Sequence, residues 1–182
     1  MTGRGAMRHS LIFTIPRVLA VAVPALIGGC APAPPPAPVT PPLADRVVVH
    51  KSTRTLDLLR DGKPLATFPV ALGRQPYGPK QQEGDGKTPE GVYRIDYKSM
   101  QSRYTRALHV SYPDDNDRAR ALAMNVEPGG AIFVHGLPNE YGPGDPPLWY
   151  RDWTEGCISV GNTAIVKIWD AVPDGTPIEI RP

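Results

Sequence analysis

"AIFVHG" (Ala131–Gly136) is a short apolar run that ends in an imidazole and a glycine. Aliphatic and aromatic residues in so short a run, closed by glycine, predict a buried strand and not a helix. A side chain at such a strand-to-loop transition is fixed by the sheet while the loop admits other molecules, which makes His135 a candidate for chemistry. The following residues, "GLPNEYGPGDPPLWYRDWT" (Gly136–Thr154), are rich in turn formers and read as a long loop. That loop delivers the chain to Glu155, Gly156 and Cys157.

Outward from this strand the same style of patterning recurs. "RVVVHK" and "TRTLDLLR" predict strands, the second alternating Leu56 and Leu58 with polar positions. Asp61-Gly62 supplies a hairpin turn into "LATFPVAL", where Pro69 points to an edge strand or a bulge. "GVYRIDYK", "RALHVSY" and "TPIEIRP" complete the set. Two segments differ. "DDNDRARALAMN" predicts a short helix with acidic residues at its dipole-positive end. "NTAIVKIWDAV" places Ile165, Ile168, Trp169 and Val172 on one face, with Asn162 or Thr163 as cap. Short strands separated by turn residues predict a mainly β domain of the α+β type, β-sandwich-like with one or two short helices.

The formal charge of +2 divides unevenly along the 182 residues. Arg4, Arg8 and Arg17 stand in a first stretch of thirty residues without an acidic residue, and the remainder holds 17 basic against 18 acidic residues. A nearly neutral domain gives no electrostatic footing for nucleic acid. The basic start precedes "VLAVAVPALIGG" (Val18–Gly29), too short to span a bilayer and interrupted by Pro24. Its end, "LIGGC", resembles a bacterial lipobox. That resemblance implies a signal peptide over 1–29, a lipidated Cys30 and attachment to the periplasmic side of the outer membrane, since residue 31 is alanine. Proline-dense "APAPPPAPVTPPL" (Ala31–Leu43) favours an extended, solvated spacer, so residues 30–44 read as a tether and 45–182 as the folded domain. With Cys30 lipidated, Cys157 is the one free thiol of an exported chain, which flags a reactive role.

Thiol chemistry needs a base and donors for a developing oxyanion. Of the four histidines, His9 lies in the leader, His50 on the first strand, and His109 among apolar residues of "ALHVSY". His135 is the best placed. "EGDGKTPEG" (Glu83–Gly91) lacks the leading glycine of a Walker loop, whose place is held by Gln81, so it reads as a wall of a cleft. "DDND" lacks the glycine and glutamate of a calcium loop. No zinc-ligand spacing is present and no cofactor is implied.

Taken together, "GDGKTPEG", "VHG" and "TEGCIS" resemble the YkuD-type L,D-transpeptidase catalytic domain over about Val47 to the C-terminus. The resemblance implies Cys157 as nucleophile and His135 as general base. It also implies an active-site turn of Thr154, Gly156 and Gly136, with Gly156 and the Cys157 amide near the oxyanion. Where the family commonly has histidine before the glycine, this chain has Glu155. Where it has arginine or asparagine two residues after the cysteine, this chain has Ser159. Glu155, Ser159 and His109 are therefore expected to line the substrate site of a divergent member. The implied substrate is the peptidoglycan stem peptide, attacked to give a thioester. Hydrolysis within the same family, and non-catalytic peptidoglycan binding, are the alternatives; oligomeric state is not indicated.

Overall fold

The structure is a computed structural model that describes residues 42–142 and 151–182. The leader, Cys30, most of the tether, and Trp149 and Tyr150 lie outside the described residues.

Among the described residues, eight strands and two helices make up the fold. In chain order they are β1 (Arg46–His50), β2 (Thr55–Arg60), β3 (Lys63–Pro69), β4 (Gly91–Ser99), β5 (Ala107–Val110), α1 (Asp115–Ala123), β6 (Phe133–His135), β7 (Ile158–Ser159), α2 (Asn162–Ala171) and β8 (Pro177–Arg181). The strands form one sheet in the order β3-β2-β1-β8-β4-β5-β6-β7. The β1–β8 and β6–β7 pairs are parallel and the other pairs antiparallel. The first hairpin turns at Asp61 and Gly62, both with positive φ, as a two-residue turn between twisted strands requires. Pro69 ends β3 at the sheet edge, where a missing amide donor does least harm.

The two ends of the sheet meet. Just beyond β3, the Ala71 amide donates to the Ser159 carbonyl and the Ser159 amide donates to the Ala71 carbonyl, both at 2.8 Å. Gly73 and Thr154 continue that contact. The expected sandwich-like domain is thus one sheet curled on itself, so that its concave face supplies both walls of the core. Val47, Val49, Leu56, Leu58, Ile95, Leu108, Ile178 and Ile180 fill it. Helix α2 closes the core by burying Ile165 and Ile168, with Val172 beyond its end. Helix α1 begins with a reciprocal cap: the Asp117 amide donates to Asp114 at 2.8 Å, and the Asp114 amide to the Asp117 carboxylate at 3.1 Å. The expected side-chain cap of α2 is absent. Gly161 occupies the cap position without a side-chain bond. The Asn162 carboxamide oxygen instead accepts from the Leu137 amide and the Thr105 hydroxyl, both at 2.8 Å, and so ties the helix to the chain leaving β6.

The glycine-rich segment between β3 and β4 packs against the Gly156–Cys157 turn. A Cβ on Gly73 would collide with the Gly86 carbonyl oxygen and stand 3.2 Å from the Gly156 Cα. A Cβ on Gly156, whose φ is +131°, would meet the Lys87 carbonyl oxygen at 2.5 Å. Three backbones therefore touch where no side chain fits. The buried Thr88 hydroxyl accepts from the Gly73 amide at 3.0 Å. Buried Lys51 donates to the Gly78 and Thr88 carbonyls at 2.7 and 2.9 Å and to Glu90 at 2.8 Å, which anchors the segment to β1. Gly73→Ala is expected to lower unfolding free energy by about 2 kcal/mol or more, since overpacking against backbone cannot relax by rotamer change. Gly130→Ala, whose Cβ meets nothing nearer than 3.8 Å, should change it by about 0.5 kcal/mol or less. Urea titration of both variants checks the contrast.

Candidate active site

Pairing of β5, β6 and β7 arranges the candidate residues. Ala107 stands opposite His135, and His109 opposite Phe133. In the parallel pair, His135 stands opposite Ser159 and Val134 opposite Ile158. Cys157 immediately precedes Ile158, so it extends the row of His109 and Phe133. Because side chains alternate along a strand, Cys157 and His135 share a face as diagonal neighbours. A cleft of about 470 Å³ opens over this face, with His135 and Cys157 both in its wall. Ala107, the smallest side chain in the row it shares with His135 and Ser159, leaves the room.

The imidazole has a fixed tautomer. His135 Nδ1 lies 2.7 Å from the Gly136 carbonyl, which can only accept, so Nδ1 carries the proton and Nε2 the lone pair. Nε2 is buried and has no partner among the described residues. Tyr104 covers the ring, stacked with centroids 3.8 Å apart, and Trp153 meets it edge-on at 5.9 Å. Burial disfavours the imidazolium and brings the His135 pKa down to about 4, against a smaller opposite pull from the Gly136 carbonyl. Gly136 itself has no room for a side chain: a Cβ would meet Asn162, Ile165 and Thr105 within 3.0 Å.

The thiol is also held uncharged. Burial pushes the Cys157 pKa up, while the Phe133 backbone amide and the charge of Lys80 pull it down. Sγ lies 3.5 Å from the Ala131 carbonyl, a partner for a protonated thiol. Ala131 adopts a positive φ of 53° after two glycines. Beneath the thiol, the buried Thr154 hydroxyl donates to the Cys157 carbonyl at 2.7 Å and accepts from the Gly156 amide at 3.1 Å. Thr154 is itself fixed between the Leu72 carbonyl and the Arg74 amide, at 3.1 and 2.9 Å.

Several expected residues take other positions. The Gly156 amide is occupied by Thr154, so this glycine serves close approach and not anion binding. Glu155 turns outward and pairs with Arg74, both well exposed. Ser159 is 1% exposed, beside His135 in the sheet, and is not among the described residues of this cleft's lining. His109 stacks on Tyr97 at 4.6 Å and bonds Asp96 at 2.7 Å, one row away from His135. It supports the cleft-lining Tyr97 and Phe133 from the side. Tyr104 and Arg103, unnoticed in the sequence, contribute a wall from the β4–β5 loop. Their one signal was an aromatic residue in the otherwise polar stretch "MQSRYTR".

Tyr104→Ala should uncover the imidazole and raise the His135 pKa from about 4 toward its ordinary value, measured by NMR titration. An unchanged value would mean that the other walls alone desolvate the ring. The sign for stability follows. A base with a lowered folded pKa costs stability as pH falls from about 6.5 toward 4, up to about 3 kcal/mol in all. His135→Gln should flatten that part of the acid denaturation profile.

The model of the YkuD family, the L,D-transpeptidase catalytic domain, matches residues 44–180. YafK of Escherichia coli K12 is 31% identical over 96 residues, covering 50% of this chain and 37% of YafK. YqjB of Bacillus subtilis 168 is 26% identical over 137 residues, covering 74% of this chain and 69% of YqjB. Both carry provisional L,D-transpeptidase names. Among solved structures, the helical cell shape determining protein Pgp2 of Campylobacter jejuni superposes with a TM-score of 0.58 at 25% identity, over 74% of this chain and 46% of Pgp2. Bd1075 of Bdellovibrio bacteriovorus gives 0.54 at 26% identity, over 76% of this chain and 48% of its own. The chain thus spans under half the length of these two solved relatives. A match running from before β1 to the end of β8, on a fold these structures share, shows that the chain belongs to the YkuD L,D-transpeptidase catalytic domain family.

Proposed function

We propose that the chain is a cysteine-dependent L,D-transpeptidase acting on peptidoglycan stem peptides through a thioester on Cys157. The observation that supports this reading most is the pairing of Cys157 and His135 in one cleft wall, with the imidazole lone pair on Nε2 and turned to no other described partner. Family membership supplies the substrate class.

Both groups rest uncharged, so proton transfer accompanies attack instead of preceding it. The thiol would exchange the Ala131 carbonyl for Nε2 as Sγ adds to the peptide carbonyl between the diamino acid and D-alanine. His135 takes the thiol proton and returns it to the leaving amine of D-alanine. An acceptor amine then attacks the thioester, loses a proton to His135, and restores the thiol. With the Gly156 amide engaged, the Cys157 amide is the candidate donor to the oxyanion. Water in place of the amine would give hydrolysis through the same steps. The proposal includes a lipid on Cys30 that tethers the domain to the periplasmic side of the outer membrane, supported by the lipobox resemblance and the proline-rich spacer.

Mass spectrometry of muropeptides incubated with the wild-type chain and with Cys157→Ala tests the reading. New cross-linked dimers that require Cys157 are expected. Trimmed peptides that require Cys157 would assign hydrolysis, and no Cys157-dependent change would leave only a binding role. His135→Ala should lower the rate by about 10²-fold or more. In the wild type, kcat/KM should fall on the acid side only as pH passes through about 4.

A further inference from the structure

We propose that Arg103 is the anion-recognition residue of the cleft, placed to hold a carboxylate of the molecule whose carbonyl reaches Cys157. Its application to peptides rests on the function proposed above; the anion site itself does not.

Among the described lining residues, Arg103 carries the one side chain charged at neutral pH, since burial keeps His135 neutral there. Other arginines of the domain are paired with acidic residues. Arg46, Arg54, Arg74, Arg106, Arg120 and Arg181 each hold a carboxylate. Arg103 has no carboxylate partner among the described residues, and its guanidinium lies 5.9 Å from the Tyr104 ring centroid. That ring is the one stacked on His135, so the guanidinium and the imidazole both contact Tyr104, and both line the cleft that holds Cys157.

The segment carrying Arg103 is also pinned. Its carbonyl accepts from the Asn139 amide at 3.0 Å, and the Ser102 carbonyl accepts from the Asn139 carboxamide at 3.0 Å. Tyr104 bridges to Pro138, and the Thr105 amide donates to the Leu137 carbonyl at 3.1 Å. Backbone order of this kind lowers the entropy lost when a guanidinium closes on a ligand. Planar, bidentate geometry suits a carboxylate better than a neutral carbonyl. The wall around it is polar, with Ser99, Gln101 and Ser102 beside the arginine. A peptide with a free carboxylate near its reacting carbonyl fits this arrangement; its amidated counterpart does not.

The test compares alkylation of Cys157 by anionic iodoacetate and by neutral iodoacetamide, read by mass spectrometry on the Cys157-containing peptide of the full chain. The ratio of the two rates isolates anion attraction from intrinsic thiol reactivity. Arg103→Gln should lower that ratio about threefold or more at low salt, the Coulomb effect of one charge lining the same cleft. Added salt should shrink the difference. Arg103→Lys should retain much of the ratio, and Arg118→Gln, the same charge change on α1, should leave it at the wild-type value. An unchanged ratio in Arg103→Gln, or an equal fall in Arg118→Gln, would overturn the proposal. A second arm offers stem peptides with free or amidated carboxylates. Wild-type preference for the free acid, lost in Arg103→Gln, extends the site to peptides. If peptides acylate Cys157 with no such preference, Arg103 does not read the substrate although the enzymatic reading stands. If the halide ratio depends on Arg103 but no peptide acylates Cys157, the anion site stands and the peptidoglycan reading fails.

Discussion

A two-residue strand carries the site. Ile158 and Ser159 offer too few hydrogen bonds to hold a strand alone, and β7 persists because it is gripped from both sides. On one side β6 pairs with it in parallel, and on the other Ala71 exchanges two bonds with Ser159. That second grip joins the ends of the sheet, so closing the curled fold and seating the thiol are one event. It also demands that the β3–β4 segment approach the Gly156–Cys157 turn backbone to backbone. Gly73 and Gly156 make that approach sterically possible. Thr154 and Lys51 then supply the polar bonds that keep the layers in place without burying an unpaired donor.

The same packing sets the electrostatics. Enclosing His135 between Tyr104 and Trp153 keeps its ring dry, and burial likewise favours the neutral thiol. A preformed thiolate–imidazolium pair would have to overcome both desolvation costs. The arrangement instead keeps an unprotonated Nε2 and a protonated thiol in the same cleft wall. Lys80, buried against Asp85 at 2.9 Å, lends a modest positive field that favours negative charge on sulfur once substrate arrives. In the proposed reaction charge would therefore develop at attack, where hydrogen-bond donors matter most.

Features governed by local patterning were legible in the sequence. Alternation in β2, the Asp61-Gly62 turn, the acidic start of α1 and the apolar face of α2 all depend on neighbours in the chain. His135 was conspicuous because a strand ends there, and Cys157 because it stands apart from other thiols. Features governed by contacts between distant segments were not legible. Asn162 reads as a helix cap but is recruited by Leu137 and Thr105. Nothing in "GDGKTPEG" announces that its Gly86 and Lys87 carbonyls pack against Gly73 and Gly156. Ser159 reads as exposed beside a reactive residue, but sheet closure buries it. Tyr104 and Arg103 sit in a loop without periodicity, and only the fold brings them to His135.

Trapping the acyl-enzyme tests the central claim most directly. The chain is mixed with a tetrapeptide stem ending in D-alanine, quenched in acid within seconds, and weighed intact. The account predicts a mass gain equal to the tripeptide acyl group, with D-alanine released. The adduct should map to Cys157, be cleaved by hydroxylamine, and be lost in Cys157→Ala. A peptide turned over with no covalent adduct under any quench time, or an adduct that survives Cys157→Ala, would contradict it.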